Sequence, residues 1–174
     1  MEKNHTNFTA LHKNLYQPLF HFVSLRVGNK EEAEDVVQDV FLKAYNSWEV
    51  LPESATAKNF LYYIARQKLI DLWKSARFRY SSGKELEESD FDEVDTGPLA
   101  IDLFEERERK EEVKKILDSL KPGERDILYL RFLEEKSYEE ISEILKISEE
   151  SARQKVKRAL EGARKVVKTP PTPL

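Results

Sequence analysis

The sequence predicts an all-α protein made of two small helical domains joined by an acidic flexible linker. Three observations carry this prediction. Apolar residues recur at three- and four-residue spacing through 9–76 and again through 105–168. Only five Gly occur, while Glu, Lys and Leu are frequent, a balance that favours helix over sheet. Between the two periodic regions the pattern lapses from Arg77 to about Ile101 and turns acidic, with Glu85, Glu87, Glu88, Asp90, Asp92, Glu93 and Asp95 ahead of Gly97-Pro98. The expected division is a first domain over 9–76, a linker over 77–104, a second domain over 105–168 and a disordered tail over 169–174. That tail is half proline and cannot sustain a helix.

The elements follow in order. Pro18 interrupts the first apolar pattern, so the first helix is expected to kink or start afresh there. Gly28, after Leu25-Arg26-Val27, suits a left-handed C-terminal cap. Asn29 with Glu32 then resembles a capping-box start. In the helix it opens, Ala33, Val36, Val37, Val40 and Ala44 form one apolar stripe, with Asp35, Gln38, Asp39 and Leu42 together on the opposite face. Residues 48–59 are too rich in turn-forming and polar types for a helix interior. The following helix offers Leu61, Ile64 and Trp73 as core. In the second domain, Pro122-Gly123 breaks the chain before a helix over 124–133. Ser137 with Glu140 gives a second capping box, opening a short helix over 138–145. A tight turn at 146–148 leads to Ser148, which caps a long helix reaching about Val167.

Composition narrows the chemistry. The absence of Cys excludes disulfides, thiolate metal sites and cysteine nucleophiles. His5, His12 and His21 all lie near the N-terminus with no second ligand cluster, so neither metal nor other cofactor is expected. Nucleophile–base pairings and Gly-rich phosphate loops are missing, which argues against an enzyme. With no apolar run of spanning length and no signal-peptide core, the expectation is a cytoplasmic protein without membrane insertion. A net charge of −4 argues against nucleic acid only as an average, because the charge is segregated along the chain.

The last sixty or so residues point to DNA. Two helices joined by a three- or four-residue turn form a helix-turn-helix, whose second helix enters the major groove. On that helix Ala152, Val156, Ala159, Leu160, Ala163 and Val167 form the apolar stripe. Ser151, Arg153, Gln154 and Lys155, near its N-terminus, are placed to read bases. Lys157 and Arg158, with Arg164 and Lys165, lie further along and suit phosphates. A basic helix alone could be a solvated bundle face. The preceding helix, the turn and the serine cap favour DNA binding.

At this point the residues resemble a known family. Leu120-Lys-Pro-Gly-Glu-Arg-Asp-Ile-Leu-Tyr-Leu-Arg-Phe-Leu133, followed by Ser137-Tyr-Glu-Glu-Ile-Ser-Glu-Ile-Leu145 and Ser151-Ala-Arg-Gln-Lys-Val-Lys-Arg-Ala159, resemble region 4 of sigma-70-family factors. Ala33-Glu-Asp-Val-Val-Gln-Asp-Val-Phe-Leu-Lys-Ala-Tyr45 and Phe60-Leu-Tyr-Tyr-Ile-Ala-Arg-Gln-Lys-Leu-Ile-Asp71 resemble helices of region 2. Both modules in order, without regions 1 and 3, point to the short extracytoplasmic-function (ECF) group.

The resemblance implies a sigma factor that binds core RNA polymerase and promoter DNA. Region 4 would read the minus-thirty-five element through Ser151, Arg153, Gln154, Lys155, Lys157 and Arg158. Region 2 would hold unstacked bases of the minus-ten element, which calls for aromatic stacking surface and cations. Tyr62, Tyr63, Arg66, Lys68, Trp73, Lys74, Arg77 and Arg79 supply these, with Asn59 and Gln67 on the same stretch; which tyrosine faces DNA stays open. Asp35, Gln38, Asp39 and Leu42 would dock on polymerase, although such a face fits a solvated helix too. Many members of the family are held by an anti-sigma factor, so one is admitted as a partner, but no residue identifies it.

Departures from the family pattern bear on the promoter sequence. Asn59-Phe60 stands where a small residue and Trp are usual, and Gln67 where Asn is common. Gln154 and Lys155 replace Ser and Arg, and Lys cannot reproduce the Arg fork. Lys146 takes a usual Gly position, at about 1 kcal/mol of strain. The rival reading is a stand-alone helix-turn-helix regulator, which leaves the Asp35–Gln38–Asp39 face without a role.

Overall fold

The computed structural model describes residues 5–27, 29–48, 55–80, 116–117 and 119–168, and its extended elements are all helices. In chain order they are α1 (His5–Ser24), α2 (Lys30–Asn46), α3 (Ala55–Tyr80), α4 (Pro122–Leu128), a π-helical turn (Tyr129–Leu133), α5 (Tyr138–Leu145) and α6 (Glu149–Lys168). The first three pack on one another as one lobe, and α6 packs on α4 and α5 as a second. Gly28, the acidic stretch, residues 105–115 and the tail lie outside the described residues.

In the first lobe Asn29 caps α2, its Oδ1 accepting from the Glu32 amide at 2.8 Å, with Glu31 and Glu32 against the positive end of the helix. The stripe of Ala33, Val36, Val37, Val40 and Ala44 is buried as expected, with Phe41 added to it. Helix α1 runs unbroken through Pro18. Proline removes an amide and crowds the preceding turn; burial of Leu15, Leu19, Phe22 and Val23 holds the helix together across it. Helix α3 begins at Ala55, so Asn59 lies within a helix rather than in a turn-rich stretch. At its other end α3 continues to Tyr80, past the point where the apolar periodicity lapses. Leu61, Ile64 and Trp73 are core, as anticipated.

In the second lobe Pro122 opens α4 from a position that needs no helical amide. The single helix expected over 124–133 instead changes pitch at Tyr129. The Glu134 amide reaches back to the Tyr129 carbonyl at 3.1 Å, and Phe132 and Leu133 are left exposed. Helix α5 matches its expected bounds. The Ser137 hydroxyl accepts from the Glu140 amide at 3.1 Å, while the Glu140 carboxylate accepts from the Ser137 amide at 2.8 Å. Lys146 adopts the left-handed conformation (φ 54°, ψ 44°) that its glycine-like position predicts, and the Ile147 amide returns to the Ser142 carbonyl at 3.1 Å. Ser148 caps α6 by accepting from the Ser151 amide at 3.1 Å. Ala152, Val156 and Ala159 are buried, but Val167, expected on the same stripe, is 67% exposed. Helix α6 outruns the small lobe it packs against.

The two lobes share one apolar core, with α3 against α5. The Phe22 ring lies 5.4 Å from Tyr62 and 5.6 Å from Tyr129, centroid to centroid. The Tyr129 hydroxyl donates to the Pro18 carbonyl at 2.8 Å, tying the second lobe to α1. The lobes are thus packed together as well as joined in sequence.

Candidate nucleic-acid and polymerase interfaces

Burial of Ala152, Val156 and Ala159 turns the other side of α6 outward. Arg153, Gln154, Lys155, Lys157 and Arg158 are exposed, and Ser151 is half-buried beside the cap. Glu149 meets Arg153 at 3.3 Å and Glu150 accepts from Gln154 at 3.2 Å, one helical turn apart. The Arg153 guanidinium also sits 4.5 Å above the Tyr138 ring. Exposed pairs of this kind are worth about 0–1 kcal/mol, so they order the side chains without tying them up. Lys155 and Arg158 border an open cleft with Lys121, Gly123 and Glu124, which extends the basic surface onto the start of α4.

The second group lies on α3. Residues 59, 62, 63, 66, 67 and 74 fall on one side of the helix by their spacing. Asn59 is only 4% exposed: its amide donates to Glu143 and its carbonyl accepts from the Lys136 ammonium, each at 3.0 Å. Tyr62 is fully buried against Phe22, and its hydroxyl has no well-placed hydrogen-bond partner. Burial first, and then the nearby Glu134 charge, push the Tyr62 pKa far above the usual tyrosine range; Tyr129 is raised for the same reasons. Tyr63 is half-buried at the edge, with the Lys146 ammonium 4.9 Å from its ring centroid. Arg66, Gln67 and Lys74 are half-buried, Lys68 pairs with Asp39 at 3.0 Å, and Trp73 is core. The side chains of Arg77 and Arg79 lie outside the described residues.

The third group is on α2. Asp35, Gln38, Asp39 and Leu42 are all exposed on one face, and Leu42 is 60% exposed beside the half-exposed Tyr45. A leucine so placed among acids is an apolar point without an intramolecular partner.

Sequence reasoning missed the residues that join the lobes. Arg26 and Asp126 are both buried: Arg26 Nε donates to Asp126 Oδ1 at 3.0 Å, its Nη2 meets Oδ2, and Arg66 Nε lies 4.0 Å from Oδ2. Burial pulls the Arg26 pKa down and Asp126 pulls it back, and the guanidinium stays charged at any accessible pH. The signal available was local and present for one partner alone: Arg26 interrupts the apolar run Leu25-Arg26-Val27, whereas Asp126 ends the charged run Glu124-Arg125-Asp126. Lys136 and Glu143 are further residues that only the fold brings to Asn59.

Comparison with known proteins agrees with this geometry. Residues 11–79 match the family model for sigma-70 region 2, and residues 116–165 match that for sigma-70 region 4. The chain belongs to the sigma-70 family. It is a sigma factor of the ECF group, which binds core RNA polymerase and directs promoter-specific transcription initiation. The ECF RNA polymerase sigma factor SigX of Bacillus subtilis is 27% identical over 159 residues, covering 91% of this chain and 82% of its own. RNA polymerase sigma factor YlaC of the same organism is 26% identical over 147 residues, 82% of each chain. Among solved structures, the sigma factor RpoE of Bartonella quintana, in complex with the anti-sigma factor NepR, superposes with a TM-score of 0.68. The identity is 18%, over 94% of this sigma factor and 98% of that chain. CnrH in complex with the cytosolic domain of CnrY gives 0.66 at 18% identity, over 95% and 90%. These two likenesses concern the fold. Among the described residues no helix is long and apolar enough to cross a membrane, and no group of His, Asp and Glu is arranged to hold a metal.

Proposed function

We infer that this sigma factor works through three surfaces, one that docks on polymerase and two that recognise promoter DNA. Asp35, Gln38, Asp39 and Leu42 dock α2 on core polymerase. Ser151, Arg153, Gln154 and Lys155 read duplex bases of the minus-thirty-five element, while Lys157 and Arg158 hold its phosphates. Asn59, Tyr62, Tyr63, Arg66, Gln67 and Lys74 take the melted minus-ten strand. In this reading 9–76 and 105–168 act as separate domains on the 77–104 linker. The factor works in the cytoplasm, without catalysis of its own. An anti-sigma factor fits as a partner, since RpoE and CnrH were each solved with a second protein.

The observation that carries this reading is the pairing of two exposed faces in one chain. A basic helix-turn-helix face on α6 accounts for DNA, and the acidic, leucine-centred face on α2 accounts for a protein partner. A stand-alone regulator needs only the first. Replacing Asp35, Gln38 and Asp39 with alanine separates the two readings. Transcription with core polymerase should be abolished while duplex binding is spared, and retained transcription would reject the assignment of that face.

A further inference from the structure

At the base-reading end of α6, Arg153 is held from outside its own helix. Its guanidinium lies 4.5 Å from the centroid of the Tyr138 ring, on α5, so the contact crosses the turn between the two helices. Its other partner, Glu149, is one turn back on α6 at 3.3 Å, in a pair about half exposed on both sides. Such an ion pair is weakened by salt and by water. It also occupies an N–H edge that base reading needs. The ring makes no such demand. An aromatic face attracts a guanidinium through its plane and leaves the N–H fork free for the two acceptors of a guanine.

The ring is itself fixed. Tyr138 is the first residue of α5, where the Ser137 hydroxyl accepts from the Glu140 amide at 3.1 Å and the Glu140 carboxylate accepts from the Ser137 amide at 2.8 Å. Its side chain is half-buried and packs on the apolar core. Arg131 adds a second guanidinium 5.0 Å from the same centroid, and its Nη1 donates to the Lys136 carbonyl at 3.0 Å. Capping, packing and the tethered Arg131 therefore set the ring before DNA arrives. A free arginine side chain loses rotamer freedom when it grips a base. One already held on a fixed ring has given up much of that freedom in advance.

We propose that Tyr138 is a positioning residue for base readout: its ring, anchored by Arg131, holds the Arg153 guanidinium in its reading pose and so sets discrimination at one base pair of the minus-thirty-five element. The inference rests on the assignment of Arg153 to base reading.

The test uses holoenzyme, full-length protein with core polymerase, on a promoter the wild type transcribes, its upstream element fully randomised. Sequencing the retained duplexes gives the base preference at every position. Arg153→Ala should flatten one position. Tyr138→Leu should lower the preference at that same position about two- to fivefold, as loss of an exposed cation–π contact implies, and leave the other positions unchanged. Tyr138→Phe keeps the ring and should match the wild type. In an Arg153→Ala background, neither Tyr138 variant should alter any preference. Tyr138→Met, equally without a ring, takes the place of Tyr138→Leu should the latter fail to fold. Flattening by Arg153→Ala with no effect of the ringless variants would overturn the positioning role alone. So would a loss at all positions alike, a loss that persists in the Arg153→Ala background, or a loss in Tyr138→Phe equal to that in Tyr138→Leu, which would assign the effect to the hydroxyl. No position flattened by Arg153→Ala would overturn the underlying reading.

Discussion

Leu42→Ala isolates the docking face from the fold. The side chain is 60% exposed, lies among acids and an amide, and contributes nothing to the buried stripe of α2. Full burial of a leucine is worth about 1.5–3 kcal/mol, so covering the exposed part of this one supplies roughly 1–2 kcal/mol. Truncation to alanine leaves the Cβ and removes about 1–1.5 kcal/mol, a five- to twelvefold rise in the dissociation constant for core polymerase. Folding should be unaffected, because an exposed helical leucine exchanged for alanine changes stability by only about ±0.5 kcal/mol. Competition against fluorescent wild-type protein for core polymerase measures the first quantity, and the urea midpoint measures the second. Unchanged affinity would refute the reasoning about this face. So would a loss of affinity that tracks a loss of stability.

On α6, Arg153→Ala should cost about 1–3 kcal/mol at one promoter position and relax specificity there, whereas Lys157→Ala should weaken all sequences alike and lower the salt slope by about 1; duplex titrations at several salt concentrations separate the two. Glu135, exposed with φ 51°, is in the left-handed region without being glycine. Glu135→Gly should therefore stabilise by about 0.5–1 kcal/mol, the relief of backbone strain less the added freedom of the unfolded chain, read as a higher urea midpoint. Burial alone would raise the Glu140 pKa, but the Ser137 amide and Lys136 outweigh it and hold the carboxyl below its ordinary 4.5. A depressed carboxylate contributes stability above its unfolded pKa and loses it as pH falls through the folded value. Glu140→Gln should therefore destabilise at neutral pH and flatten the acid limb of the stability–pH profile.

Legibility in the sequence followed the range of the forces involved. Helix α5 could be read to the residue because Ser137, Glu140 and Lys146 act within one turn of its ends. The α2 stripe and the exposed basic side chains of α6 were equally local, set by helical periodicity. The unbroken α1 was not legible, because Pro18 signals a break and only burial of its neighbours overrides it. The pitch change at Tyr129 has no sequence signature of its own. The surroundings of Asn59 were hidden for a different reason: Lys136 and Glu143 reach it from 77 and 84 residues away. Spacing could place Tyr62 and Tyr63 on one helix, and packing against Phe22 is what makes the first core and leaves the second at the edge.

The central claim is most directly tested by in-vitro transcription with bacterial core RNA polymerase on pooled genomic fragments of the host, with and without this protein. The account predicts new start sites that appear only when the protein is present and share two spaced upstream elements. Folded protein and active core polymerase giving no new transcripts would contradict it.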